Sequence, residues 1–140
     1  MDVYVLFLAI LMVAAVCVMF AVGLTRKGSV ATIAMTARRI SLHTAVPPDI
    51  VYVWLTQHCP TGYLVEDADP ARGIVILSSR LTGFTWGFFY PAVIYAEGAR
   101  TRVDLGIKSK VFQYGPLVTR AHQKLAHALA SLTQSRVDGS

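Results

Sequence analysis

The sequence predicts an α+β domain that follows a single transmembrane helix. Three observations predict this: a charge-free apolar run at residues 3–24, alternating apolar and polar residues in the middle of the chain, and apolar residues at helical spacing near its end. Alternation with a period of two is typical of a half-buried strand, and recurrence every three or four residues is typical of an amphipathic helix.

The apolar run has the length of a membrane span. About 20 apolar residues are needed for a helix to cross a hydrocarbon core of about 30 Å. No basic segment precedes the run, which begins after Met1 and Asp2, and it is longer than the apolar region of a cleaved signal. We therefore interpret residues 1–24 as an uncleaved anchor. Its interior carries no charge, which argues against a transport path.

Positive charge follows the span on one side. After the span, four basic residues precede the first acidic residue, Asp49: Arg26, Lys27, Arg38 and Arg39. The other side of the span holds only Asp2. By the positive-inside rule the C-terminal domain is cytoplasmic and the N-terminus lies outside, in the plasma (inner) membrane. Residues 25–36 are interpreted as a short juxtamembrane link that holds a domain at residues 37–134 against the inner surface.

The first strand and the first helix of the domain are predicted around two prolines. Residues 40–46 alternate and predict a strand that Pro47 closes. Pro48 and Asp49 predict the start of a helix, because proline is tolerated in the first turn and an acid is favourable at the positive end of the dipole. This helix is expected to end near His58, with a strand as the alternative because of its β-branched residues.

Four further strands and a long helix complete the predicted order β-α-β-β-β-β-α. The strands are expected at residues 63–66, 73–79, 83–95 and 101–107, with Pro91 marking an edge position or a bulge. The helix is expected at residues 118–132 and covers the antiparallel sheet. Residues 135–140 are predicted to be a polar tail.

Composition constrains the partners and the compartment. The chain has 13 Lys and Arg against 8 Asp and Glu, and the excess is concentrated in its last third. For a tethered domain the nearest anionic surface is the lipid head-group layer. No nucleic-acid-binding motif accompanies the basic residues, so nucleic acid is not expected as a partner. The two cysteines, Cys17 and Cys59, form no disulfide framework, as is usual in a reducing cytoplasm.

Two sets of residues are candidates for contacts. Basic residues near the link and next to aromatic residues are expected to contact the membrane surface: Arg26, Lys27, Arg38, Arg39, Lys108 and Lys110. Bulky aromatic residues on two faces of one strand are expected to contact a partner protein or a hydrophobic ligand: Phe84, Trp86, Phe88, Tyr90 and Tyr95.

No catalytic, cofactor or metal site is expected. His58 and Cys59 are adjacent and lack spaced partners for zinc, and His122 and His127 are five residues apart, off one helix face. No Ser/His/Asp set has a recognisable local context, and no glycine-rich phosphate loop is present. The sequence therefore does not predict an enzyme.

The order of elements resembles the helix-grip fold of the Bet v 1-like and START-like superfamily, which includes the polyketide cyclase/dehydrase group. The residues that carry the resemblance form a strand, a proline-led helix and a terminal helix: Ile40 to Val46, Pro47, Pro48, Asp49, Val51 and Trp54, and residues 118–132. The resemblance implies a sheet curled around the long helix and an apolar pocket, often for lipids. A simpler sandwich, with one sheet face covered by the terminal helix, is the alternative architecture.

Three functions are compatible with the sequence. The first is a non-catalytic accessory or assembly subunit of a larger membrane complex, with other membrane protein subunits as partners. The second is a tethered helix-grip domain that binds a lipid or other hydrophobic ligand, with Trp86, Phe88, Tyr90 and Tyr95 lining its pocket. A cyclase/dehydrase-like enzyme is a third and weaker alternative, because no acid–base pair can be assigned.

Overall fold

The computed structural model describes residues 2–25, 28–29, 35–36, 38–80, 87–110 and 115–139, with side chains for all of these except 138 and 139. The predicted α+β class is confirmed. The elements in chain order are α1 (Val3–Thr25), β1 (Arg39–Thr44), α2 (Pro48–Gln57), β2 (Tyr63–Asp69), β3 (Ile74–Ser79), β4 (Phe88–Glu97), β5 (Arg100–Gly106), β6 (Lys108–Ser109), α3 (Pro116–Thr133) and β7 (Arg136–Gly139).

Helix α1 has 23 residues, and its most apolar stretch is 0% buried within the protein. Its length and composition suffice to cross a membrane, although a signal sequence near an N-terminus would have the same properties. The anchor, its orientation and the compartment of the domain therefore stay predictions.

The strands form one antiparallel sheet of seven strands in the order β2-β3-β4-β5-β1-β7, and β6 pairs with β4. Neighbours from β2 to β5 are consecutive in the chain. Strand β1 returns to lie beside β5, with Ile40 opposite Leu105 and Leu42 opposite Val103. The first strand of the domain thus lies between β5 and the last strand, β7.

The core lies between one face of the sheet and helices α2 and α3. Alternate residues of each strand point to this concave face, as the sequence pattern predicts. Leu42, Leu77 and Leu105 of the sheet are 0% exposed, and they belong to one core cluster with Leu125 and Leu129 of α3. Burying each leucine contributes roughly 1.5–3 kcal/mol, so helix and sheet stabilise one another mainly through this apolar contact.

Pro91 lies in a central strand, so the predicted edge position is wrong. Ala92 lies opposite Leu105, and Phe89, three residues earlier, lies opposite Lys108, three residues later. Because the two chains advance equally, no bulge occurs at Pro91 either. The Gly87 carbonyl accepts the Lys110 N–H at 3.1 Å, so the main-chain groups of Gly87 face β6. Hydrogen-bonding groups alternate along a strand, so the backbone nitrogen of Pro91, four residues later, faces the same side, but it has no N–H to donate. Proline therefore interrupts the ladder and separates β5 from β6.

The segment interpreted as a link, which precedes β1, contacts the sheet at this interruption. Thr36 Oγ1 accepts the N–H of Ile107 at 3.1 Å and donates to the Arg38 carbonyl at 2.7 Å. A Cβ on Gly106 would lie 2.7 Å from Thr36 Oγ1 and 3.0 Å from both Met35 Sδ and Pro91 Cγ. Only glycine allows the link to approach this closely, and the chain therefore enters the domain at a fixed point.

The prediction of a polar tail over residues 135–140 is wrong, because residues 136–139 form β7. This strand pairs with β1, and His43 lies opposite Arg136. Edge strands are stabilised largely by main-chain hydrogen bonds, so a sequence with little apolar pattern can still form one. Val137 is half-buried and packs against the core.

Replacing Thr36 by Val should destabilise the domain. The hydroxyl is lost at nearly constant shape, and the buried N–H of Ile107 loses its acceptor, which costs about 1–3 kcal/mol. The matched control is Thr56→Val, because the Thr56 hydroxyl donates only to its own helix, to Tyr52 O at 2.9 Å. Denaturant titration in micelles should show a lower free energy of unfolding for T36V and a change within about 0.5 kcal/mol for T56V. Equal values would contradict a structural role for the link.

Candidate functional site

A cleft of about 410 Å³ opens between the sheet and the first half of α3. We call it the aromatic cleft. The described residues that line it come from the starts of β2 and β4, the end of β3 and two turns of α3: Thr61, Gly62, Tyr63, Ser79, Arg80, Phe88, Tyr90, Leu117, Arg120, Ala121 and Lys124. All these segments lie at one end of the sheet.

The floor of the aromatic cleft is apolar. Phe88 and Tyr90 are each 1% exposed, and they are two apart on β4, so both point to the concave face. The Tyr63 and Tyr90 ring centroids are 5.7 Å apart in an edge-to-face arrangement, and those of Phe88 and Tyr90 are 6.1 Å apart. Such ring pairs pack favourably and give the floor a fixed shape.

One hydroxyl provides a polar group at this floor. Burial raises the pKa of the Tyr90 phenol, and a hydrogen bond with the Ser79 side chain acts in the opposite direction. Since burial dominates, the phenol stays protonated at neutral pH and can offer a hydrogen bond without adding negative charge.

The rim of the aromatic cleft is cationic. Arg120 and Lys124 lie four residues apart on one face of α3, and Arg80 follows β3 on the facing wall. All three side chains are exposed. The described residues that line the cleft include no Asp or Glu. The cleft therefore combines an apolar interior with a positively charged opening.

The link reaches the same end of the domain as the cleft. Thr36 contacts Ile107, which follows β5, and the end of β5 pairs with the start of β1 at Arg39. We call this end, which holds the starts of β1, β2, β4 and α3, the tether end. Arg38, Arg39 and Lys108 are also exposed here. The opposite end carries both signs of charge: Asp49, Asp67, Asp69 and Glu97 with Arg72, Arg100, Arg102 and Arg136.

A second cleft, of about 370 Å³, lies between α3 and strands β1 and β7. Its lining includes His122, which is 2% exposed and whose Nε2 lies 2.6 Å from the Leu105 carbonyl oxygen. A carbonyl only accepts, so Nε2 carries the proton and donates. Burial lowers the pKa of His122, the Leu105 bond opposes this, and the Arg38 charge lowers the pKa further. His122 is thus a neutral residue that joins helix to sheet.

The structure divides the predicted aromatic set. Phe88 and Tyr90 lie side by side in the cleft, but Tyr95 does not, so its predicted place in the pocket is wrong. Strand alternation places Tyr95 on the other face, where it is 39% exposed and the Arg102 guanidinium lies 4.6 Å from its ring centroid. Phe84 and Trp86 lie outside the described residues.

The predicted basic set is divided as well. Arg38, Arg39 and Lys108 are exposed at the tether end. Lys110 is only 7% exposed, and its Nζ donates to the Ser79 carbonyl at 2.9 Å, so its predicted contact with head groups is wrong. Its alkyl stem packs on the sheet, and its ammonium lies 5.2 Å from the Phe89 ring centroid. Two further candidates, Arg26 and Lys27, lie outside the described residues.

Sequence reasoning missed most of the lining. Arg120 and Lys124 are not among the predicted contact residues, and Tyr63 is predicted only as the start of a strand. The spacing of Leu117, Ala121 and Lys124 does place them along one side of a helix, and this was the available signal. The facing wall could not be inferred, because it depends on which strands pair.

Neither a metal-binding cluster nor a reactive thiolate is favoured among the described residues. Within them, no group of three or more His, Cys, Asp or Glu side chains could hold a metal ion. Burial raises the pKa of the Cys59 thiol, which disfavours the nucleophilic thiolate.

Comparison with solved structures identifies the fold. Of 14 matching chains, one is described as the crystal structure of Ara h 8.0201, an allergen of the Bet v 1 family, with a TM-score of 0.51. The match covers 69% of this chain and 90% of that chain at 8% sequence identity. The domain has a helix-grip fold. At this identity the likeness establishes the fold alone. No model of a protein family and no curated protein sequence matches the chain.

The stability of the helix-grip domain should fall in mild acid because of His122. Its pKa is below the ordinary 6.5 in the fold, so the unfolded chain binds a proton more readily. The contribution of neutral His122 to the free energy of unfolding is complete above pH 6.5. It is lost as the pH falls below 6.5, and the free energy of unfolding then decreases by at most about 1.4 kcal/mol per pH unit. Unfolding titrations between pH 7.5 and 5 should show this loss in the wild type and His127→Gln, and a smaller one in His122→Gln. Parallel curves for all three would contradict the assignment.

Proposed function

We propose that the protein is a membrane-tethered helix-grip domain that binds a lipid or another hydrophobic ligand in the aromatic cleft. The observation that carries this proposal is the position of the cleft, whose apolar floor opens at the tether end. Apolar clefts with a few polar groups are the usual form of small-molecule sites. The Tyr90 hydroxyl and the rim residues are the polar groups here.

The geometry of the link supports direct exchange with a bilayer. Ten residues lie between Thr25, the last residue of α1, and Thr36, which contacts the sheet. Fully extended, the chain from Thr25 to Thr36 spans at most about 40 Å, so the link holds the domain within that distance of the end of α1 and joins it at the tether end. In this proposal α1 is an anchor, the N-terminus lies outside, and the exposed Arg38, Arg39 and Lys108 face the head groups of the inner surface.

The size of the cleft limits the ligand. Its volume of about 410 Å³ is near the lower end of the roughly 300–1,000 Å³ typical of ligand pockets. A ligand with one acyl chain or a compact ring system fits this volume better than a complete diacyl lipid. The small volume agrees with the brief connection between β1 and β2, which contains the ten-residue helix α2.

We propose binding rather than catalysis, because the described residues that line the aromatic cleft include neither a carboxylate nor an imidazole. The interpretation as an accessory subunit of a larger membrane complex stays a prediction. The exposed apolar surface of α1 would suit partner helices, but it equally suits lipid, so it does not favour a complex.

A bulky side chain in the cleft should abolish ligand binding. Ala121 lines the cleft and is half-buried, so Ala121→Trp would fill the space above Phe88 and Tyr90. The matched control is Ala128→Trp, which introduces the same side chain at a half-buried position of α3 outside the residues that line the cleft. The full-length chain, released from native membranes, is analysed by native mass spectrometry.

The wild type and A128W should each retain one small amphiphile per chain, and A121W should retain none. A wild type without any bound molecule, or an A121W that retains it, would contradict the proposed function.

A further inference from the structure

We infer that the ligand is an anionic amphiphile with one acyl chain, whose phosphate or carboxylate group is bound by Arg80, Arg120 and Lys124. This inference rests on the proposed function and specifies the class of its ligand. The tail would lie against Phe88 and Tyr90, and the charged group would lie at the opening.

The placement of charge supports an anionic head group. Arg120 and Lys124 project from successive turns of α3, and Arg80 lies on the facing wall, so the cations flank the opening from two sides. Below them the interior is formed by aromatic rings and by Ala121. A molecule that satisfies both regions has an apolar body and a negatively charged end.

In the part of the chain that the structure describes, no acidic side chain forms an ion pair with any of the three rim cations. Among the described residues, the ion pairs involve Arg39 and Arg102 with Asp104, and His43 and Arg102 with Glu97, but none of the rim cations. Arg102, for example, lies 2.6 Å from Glu97. Three like charges around one opening repel each other, and an anion bound between them relieves that repulsion.

A neutral amphiphile would gain only the apolar contacts. An anionic one with the same tail would add charge-assisted hydrogen bonds to arginine, which are stronger than neutral ones. Arginine also binds phosphate and carboxylate in a bidentate manner, so two arginines at the rim suit either group. An anionic amphiphile should therefore bind more tightly than a neutral one with the same tail.

The test compares two photoactivatable probes that share one acyl chain and differ in the head group, a phosphate monoester or an uncharged glycerol. The full-length chain is reconstituted into phosphatidylcholine vesicles, whose surface carries no net charge. After irradiation, mass spectrometry measures the labelling of peptides that contain Tyr63, Phe88 or Tyr90. The phosphate probe should label these peptides about fivefold more than the glycerol probe.

Charge reversal at the rim should remove this preference. In R120E/K124E, and independently in R80E on the facing wall, the labelling ratio should fall to about one or below. The matched control is R72E/R100E, which makes the same change in net charge at exposed positions of the opposite end and should keep the wild-type ratio. Unchanged unfolding midpoints confirm that each variant is folded.

The outcomes separate the inference from the proposed function. Equal labelling by both probes, unaffected by charge reversal, would overturn the anionic ligand while leaving a hydrophobic site. No labelling of the cleft by either probe would overturn both. Excess inorganic phosphate should displace little of the phosphate probe, because the tail contributes most of the binding. Complete displacement would show a site for free anions and would overturn the amphiphile.

Discussion

The contact between the link and the sheet is the constraint on which the proposed functional architecture depends. Thr36 satisfies the N–H of Ile107, and Gly106 leaves the space for this approach beside Pro91. The contact fixes the end of the domain at which the chain from α1 meets the sheet. The aromatic cleft opens at that same end, so the hydrogen bond between Thr36 and Ile107 also places the link at the end that carries the opening.

The aromatic cleft is the part of the core that α3 leaves unfilled. In the C-terminal half of the helix, Leu125 and Leu129 are 0% exposed and occupy the space above the sheet. In the N-terminal half, the residue that faces the aromatic floor is Ala121, while Leu117 is 45% exposed. A change from large to small side chains along one helix therefore converts a packed core into an open site.

The sequence predicted those features that depend on local pattern. Alternation around Leu42 and Leu105 and the helical spacing of Leu125 and Leu129 identified the core faces, and Pro48 marked the start of α2. Features set by distant pairing could not be predicted in this way. Strand β7 exists because β1 offers it an unpaired edge, and the cleft unites β2, β3, β4 and α3. Tyr95 is five positions from Tyr90 on β4, so alternation places it on the opposite face of the sheet from the cleft.

The central claim is that the opening of the aromatic cleft faces the bilayer. The most direct measurement attaches a nitroxide at Leu117→Cys, beside the opening, or at Arg100→Cys, at the opposite end, in a full-length chain whose Cys17 and Cys59 are replaced by Ala. Vesicles containing a Ni²⁺-chelating lipid then report, by spin relaxation, how close each label lies to the head groups. We expect strong relaxation at position 117 and weak relaxation at position 100. Equal relaxation, or the reverse order, would contradict the account.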